Sequence, residues 1–143
     1  MTVDSKKQKL NLGQIVLTWL QSVPQPHPIN VMSAAILAEL SHPNVKTKQF
    51  GNTLFEIIEG ADKVAYVKAF NADIGVNFVE NSKLFLVYAK NVLNLKHLVV
   101  QSEDPSIEQL LKIIKMNPPI SNFDYTTQKI KSGETRFIIN LGG

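Results

Sequence analysis

Two glutamates stand three residues apart in a run of β-branched and aromatic side chains, Thr53 to Glu59 (TLFEIIE), and either Glu56 or Glu59 could act as a general base towards an amine. A protonated amine is no nucleophile, so a carboxylate fixed on a strand is the group such chemistry needs. The ordinary reading of both residues is the solvated face of an alternating strand. Glu103 and Asp104 could attract a cation, although capping of a helix explains Asp104 sufficiently.

The remaining candidates carry less. His27, His42 and His97 lie far apart without carboxylates at metal-ligand spacing and read as two loop histidines and one at a strand start; no metal is expected. Ser5, Ser22, Ser33 and Ser41 show no GxSxG turn, so no serine nucleophile is assigned. Tyr66 and Phe70 alternate with Lys68, a combination that can stack bases and neutralise phosphate, but that more simply describes a partly buried sheet with a lysine near its edge. Trp19 belongs to a core, or with Leu12 and Val16 to an interface between chains.

These side chains need a scaffold, and the composition permits one. The chain of 143 residues is 44% hydrophobic and 19% charged, enough apolar surface to offset the entropy of ordering one domain. The absence of cysteine excludes disulfides, thiolate zinc sites and cysteine nucleophiles. Of the net charge of +3, residues 1–10 supply Lys6, Lys7 and Lys9 against Asp4, and Arg136 is the sole arginine, so any nucleic-acid binding would be lysine-based and nonspecific. We expect a flexible basic tail over 1–10 and a single globular domain over 11–143. The N-terminus holds no apolar signal core and no run approaches the ~18 residues of a membrane span, so a cytoplasmic or otherwise intracellular location with no membrane contact is expected.

The elements follow from period and punctuation. Asn11 caps a helix with Leu12, Ile15, Val16, Trp19, Leu20 and Val23 at three- and four-residue spacing, ended by Pro24, Pro26 and Pro28. A second helix begins near Asn30 and runs to Leu40. Thr53–Glu59 and Val64–Phe70 flank a turn at Gly60–Lys63 and predict a hairpin, and Ile74–Val79 alternates as a third strand of a meander. A buried helix follows from Asn81 or Ser82 to about Leu95, with Leu84, Val87, Tyr88, Val92 and Leu95 along its core side. His97–Gln101 is an interior strand in parallel crossover. Asp104 and Pro105 open another helix, and Asn122–Lys129 with Thr135–Leu141 form a hairpin around Ser132-Gly133.

Two helices, a three-strand meander, helix, strand, helix and final hairpin is the element order of the GNAT N-acetyltransferase fold, without a clear first strand. The segment KNVLNLKHLVVQSEDPSIEQLLKIIK, Lys90 to Lys115, resembles the family's central helix, splayed fifth strand and following helix, and FDYTTQKIKSGETRFIINL, Phe123 to Leu141, is similar to its C-terminal hairpin. The resemblance implies an α/β (α+β) fold with a mixed sheet. It also implies a place for acetyl-CoA, whose pyrophosphate these enzymes hold on backbone N–H groups of a glycine-rich loop at the start of the central helix.

The segment expected there is Val79-Glu80-Asn81-Ser82-Lys83, with Asn81, Ser82 and Lys83 as candidate cofactor-binding residues. It holds no glycine or arginine, and Glu80 puts negative charge where phosphate would lie. The helix from Pro105 to Met116 also lacks the tyrosine that the family often uses as general acid. The expectation is a noncatalytic GNAT-like protein without a cofactor, acting through a protein partner or a second copy of itself. Small proteins of this kind occur among tailed-phage proteins, including internal virion components, and analogy extends the expected location to the virion of a bacteriophage. Two alternatives stay open: an acetyl-CoA-dependent N-acetyltransferase with Glu56 or Glu59 as base, and a nonspecific nucleic-acid-binding protein.

Overall fold

Asn11 starts the first helix, α1 (Leu12–Ser22), by a capping box in which its side chain accepts from Gln14 N–H at 2.9 Å while the Gln14 side chain accepts from Asn11 N–H at 2.9 Å. The computed structural model describes residues 9–142; residues 1–8, most of the expected basic tail, lie outside the described residues. Leu10, placed by its sequence in that tail, is anchored instead: its N–H donates to the Asn52 side chain and its C=O accepts from Gln49, both at 2.8 Å. The second helix, α2 (Ile29–Leu40), follows the proline-rich link and buries only Leu40.

Six strands form one mixed sheet: β1 (Lys46–Phe50), β2 (Thr53–Glu59), β3 (Val64–Asn71), β4 (His97–Ser102), β5 (Asp124–Lys129) and β6 (Thr135–Asn140), in the order β1-β2-β3-β4-β6-β5. Between β3 and β4 lies α3 (Val76–Asn91), and between β4 and β5 lies α4 (Pro105–Met116). The expected parallel crossover is present, with β3 beside β4, and among the described residues no strand precedes α1. The strands β1, β2 and β3 make the antiparallel meander, and β5 and β6 the last hairpin.

Two sequence expectations are corrected. The third meander strand is β1, not Ile74–Val79; KTKQF carries one large apolar residue and two lysines, the composition of an edge strand, and gives little hydrophobic signal. Ile74 to Val79 instead leads into and opens α3. Gly75 takes φ +54, which breaks an extended run, and from there Ser82, Phe85, Leu86 and Ala89 recur at helical spacing and are buried. Of the expected core stripe Leu95 is buried and Val87 and Tyr88 pack on the core, whereas Leu84 and Val92 are 53% and 67% exposed. Two polar residues, Asn81 and Ser82, stand on the buried face and disguise its period.

Each sheet face has its own core. Phe55, Ile57, Val67, Leu98 and Phe137 pack against α3 and α4, with the Phe55 and Phe85 rings stacked at 4.1 Å between centroids. On the opposite face Leu54 and Phe70 meet Ile15, Val16 and Leu20 of α1, and the Trp19 ring stands edge-on to Phe70 at 5.0 Å. Fully burying each such side chain contributes about 1.5–3 kcal/mol, so β2 and β3, apolar on both faces, anchor the fold.

Candidate functional site

The parallel ladder between β3 and β4 is three pairs long, Val64 with His97, Ala65 with Leu98 and Tyr66 with Val99, and ends there. From Val67 onward the β3 edge that faces β4 has no strand partner, so the middle of the sheet opens as a V. Both faces of that V carry a pocket.

On the α1–α2 side is a cleft of about 590 Å³, within the range of small-ligand sites. Trp19, Met32, Ile36 and Phe70 give it apolar walls. Glu39, Glu103, Asp104 and Glu134 reach it from α2, the β4–α4 junction and the β5–β6 turn, against Lys68 as the single cation among the described residues. The cleft is thus acidic in a chain of net charge +3.

Glu56 lies directly behind this cleft. It faces Lys68 across the β2–β3 register, is 1% exposed, and neither of its carboxyl oxygens has a hydrogen-bond donor among the described residues. Lys68 Nζ is 4.0 Å from Glu56 Oε1 and 3.3 Å from Glu39 Oε2. Burial first, and then contact with the Glu39 carboxyl, push the Glu56 carboxyl up to about 7; the same contact holds Glu39 below the usual carboxylate range. The expected solvated strand face describes Glu59, which pairs with Lys46 outside the cleft lining, but not Glu56.

On the α3–α4 side the V is closed by Ala69 and Val100 of the parting strands, Phe78 and Phe85 of α3 and Ile107 of α4, which line an apolar pocket. One polar group enters it. The Ser82 hydroxyl is buried and has no hydrogen-bond partner among the described residues, a desolvation cost of about 1–3 kcal/mol if nothing else meets it.

The start of α3 lies beside this pocket. Asn77 and Phe78 N–H bond back to Ile74 and Gly75 C=O at 3.1 and 3.2 Å, whereas the N–H groups of Ile74, Gly75 and Val76 donate to no acceptor among the described residues. Ile74 and Val76 are 82% and 69% exposed, so this end of a 16-residue helix is open to solvent. Asp73 is turned towards the β1–β2 turn, where it accepts from Asn52 N–H at 2.8 Å and Asn81 Nδ2 at 2.7 Å.

The residues expected to hold a cofactor are therefore placed differently from their sequence assignment. Asn81 also donates to Thr53 at 3.0 Å and is a structural link between α3 and β2. Lys83 Nζ is 3.9 Å from Glu80. Ser82 alone of the three opens on a pocket. The loop that precedes α3 is residues 72–75, and it does contain a glycine. Glu80, one turn inside the helix, is not the loop's charge.

Asp104 caps α4 by accepting from Ser106 N–H at 2.9 Å. Phe70 is buried beneath Trp19 and Lys68 is engaged by two carboxylates on an interior strand, so Tyr66, Lys68 and Phe70 do not form an open base-stacking surface. Among the described residues no three His, Asp or Glu side chains cluster as a metal site, and no helix is long and apolar enough to cross a membrane. Glu39 is the site residue that sequence reasoning missed. Its signal is that it is the one charged residue of α2.

The sheet with a V between its central parallel strands, two helices on one face and two on the other, matches solved structures over nearly the whole chain. A chimera of the spermidine N-acetyltransferase SpeG from Vibrio cholerae and hSSAT superposes with a TM-score of 0.58 at 13% identity, covering 93% of this chain and 92% of that one. The N-acetyltransferase PseH from Campylobacter jejuni, solved with acetyl coenzyme A, gives 0.56 at 15% identity, covering 92% of both. The fold is GNAT-like. No family model matches the sequence, and no curated protein is significantly similar to it. At these identities the likeness concerns the GNAT fold alone, and the chemistry must be argued from this chain's own residues.

Proposed function

We propose that this chain is an acetyl-CoA-dependent N-acetyltransferase. The observation that carries the reading is the V between β3 and β4, open beyond Tyr66 and Val99, with groups suited to the two reactants on its opposite faces. The fit to the cofactor rests on two sets of unpartnered donors. The N–H groups of Ile74, Gly75 and Val76 sit at the positive end of α3, where a pyrophosphate is stabilised, and the free β3 edge can meet the amides of a pantetheine arm; the Ser82 hydroxyl lies in a cavity of only about 70 Å³ and joins them where the arm's entry widens it. Bound there, acetyl-CoA would supply the acyl group as a thioester.

The chain's own contribution is to hold the amine. An ammonium entering the acidic cleft exchanges water for Glu39, Glu103, Asp104 and Glu134, while its apolar body lies against Trp19 and Met32. The expectation of a noncatalytic protein rested in part on placing the loop at 79–83, whereas α3 already begins at Val76. The missing tyrosine on α4 stands, and no side chain is assigned here as general acid.

A second reading, a noncatalytic protein that docks on another chain, is favoured by α2. From Ile29 to Ala38 it carries no charge, yet Val31 is 54% exposed and only Leu40 is buried. The two separate in one assay. Release of free CoA thiol from acetyl-CoA, with a panel of diamines, aromatic amines and lysine peptides, should rise above the hydrolysis blank; no amine-dependent release with any of them leaves the second reading.

A further inference from the structure

The carboxyl pair behind the cleft has features that a simple strand glutamate lacks. Glu56 sits on the α1–α2 face of β2, and every neighbouring element can be checked for charge. From β3 Lys68 Nζ lies 4.0 Å from Glu56 Oε1 and 3.3 Å from Glu39 Oε2 of α2, so one ammonium joins the two carboxyls, while the β1 neighbour of Glu56 is the uncharged Thr47 and α1 has no charged residue. With both carboxyls ionised, two negative charges would face one ammonium, one of them on a residue only 1% exposed. With one proton between them, Glu56 gains the donor interaction it otherwise lacks.

We propose that Glu39 and Glu56 share one proton and act as a two-carboxyl acceptor for the amine's proton, Glu39 touching the substrate and Glu56 positioned behind it. The assignment rests on the acetyltransferase reading above for the identity of the donor. Glu39 lines the cleft and its side chain is 43% exposed, whereas Glu56 is sealed beneath it. In the proton transfer, which starts from the pair without its proton, one N–H bond of the ammonium breaks, one O–H bond forms on Glu39, and that proton becomes the one shared between Glu39 and Glu56. Lys68 holds the charge of the emptied pair. A lone exposed glutamate, ionised far below neutrality, would be a poor acceptor at neutral pH because its conjugate acid is too strong. The partner near 7 corrects that mismatch.

The test uses the full chain without any cofactor, labelled with 13C at the glutamate carboxyl carbons and titrated by NMR from pH 4 to 9. One carboxyl should titrate near 7, vanish in Glu56→Gln, and move at least half a unit towards 4.5 in Glu39→Gln. A Glu56 resonance titrating with the other glutamates, or one unmoved by Glu39→Gln, overturns the shared proton. In acetyl transfer, the acid limb of kcat/KM against pH should follow the same midpoint and shift with it in Glu39→Gln, and an unshifted limb overturns the acceptor role. If the carboxyls couple as described but acetyl-CoA is not bound, the shared proton stands and the reaction falls.

Discussion

The Asn81 side-chain amide reaches out of α3 to the Asp73 carboxylate at 2.7 Å, clasping the helix to the loop that precedes it. The same amide meets Thr53, itself fully buried, and leaves so little room that a Cβ on Gly51 would lie 2.7 Å from Asn81 Oδ1. Gly51 also has φ +57, so substitution there is disfavoured twice. Asn81→Ala would strand the Thr53 and Asp73 partners and should cost about 1–3 kcal/mol. Gly51→Ala should cost about as much, by strain. Urea denaturation midpoints measure both; a loss near zero in either would mean that the loop before α3 is not held by this clasp.

Stability should depend on pH through Glu56. Its carboxyl holds a proton more tightly folded, up to about 7, than at its ordinary value of 4.5, so the native state binds more protons than the unfolded chain between those values. The stabilisation is complete below 4.5 and is lost as pH rises through 7. Glu39, shifted down, works in the opposite direction by losing stability as pH falls, so the net change is smaller than Glu56 alone would give. Glu56→Gln should flatten the curve of unfolding free energy between pH 5 and 8. A wild-type curve already flat over that range would contradict the burial of an uncompensated carboxyl.

Ser82 separates a ligand site from a packing fault. Its hydroxyl is buried without a partner, so Ser82→Ala should leave the free protein as stable as before or raise it by about 1 kcal/mol. The same variant should bind acetyl-CoA several-fold more weakly. Lower stability in the free protein would show that the hydroxyl already has an acceptor.

Trp19, the sole tryptophan, stands edge-on to Phe70 and lines the cleft, so its emission reports on what enters there. A bound amine should shift its fluorescence, and Glu39→Gln should weaken that response. Trp19→Ala should cost about 3 kcal/mol by opening a void beside Phe70. Amine binding that leaves the emission unchanged would place the acceptor elsewhere.

The sequence showed most where local chemistry and global fold agree. The capping box at Asn11, the Asp104-Pro105 start of α4 and the turn before Val64 each stand where residue type alone dictates geometry. Residues 74–79 misled because Ile74, Val76 and Phe78 alternate, while the decisive feature, positive φ at Gly75, is a backbone state that periodicity does not report. Strand β1 was hidden because an edge strand needs no apolar pattern. Glu56 was visible as a candidate, but its burial depends on α2, whose Glu39 is 17 positions earlier and meets it only in the folded chain.

Acetyl-CoA titrated calorimetrically into the full chain, at low and moderate salt, tests the central claim most directly. The acetyltransferase account predicts saturable one-to-one binding that weakens with salt, as expected for a phosphate held at a helix terminus, and that weakens further in Ser82→Ala. No heat of binding at any salt, with the protein folded by its Trp19 emission, would contradict it and leave the GNAT-like fold serving another end.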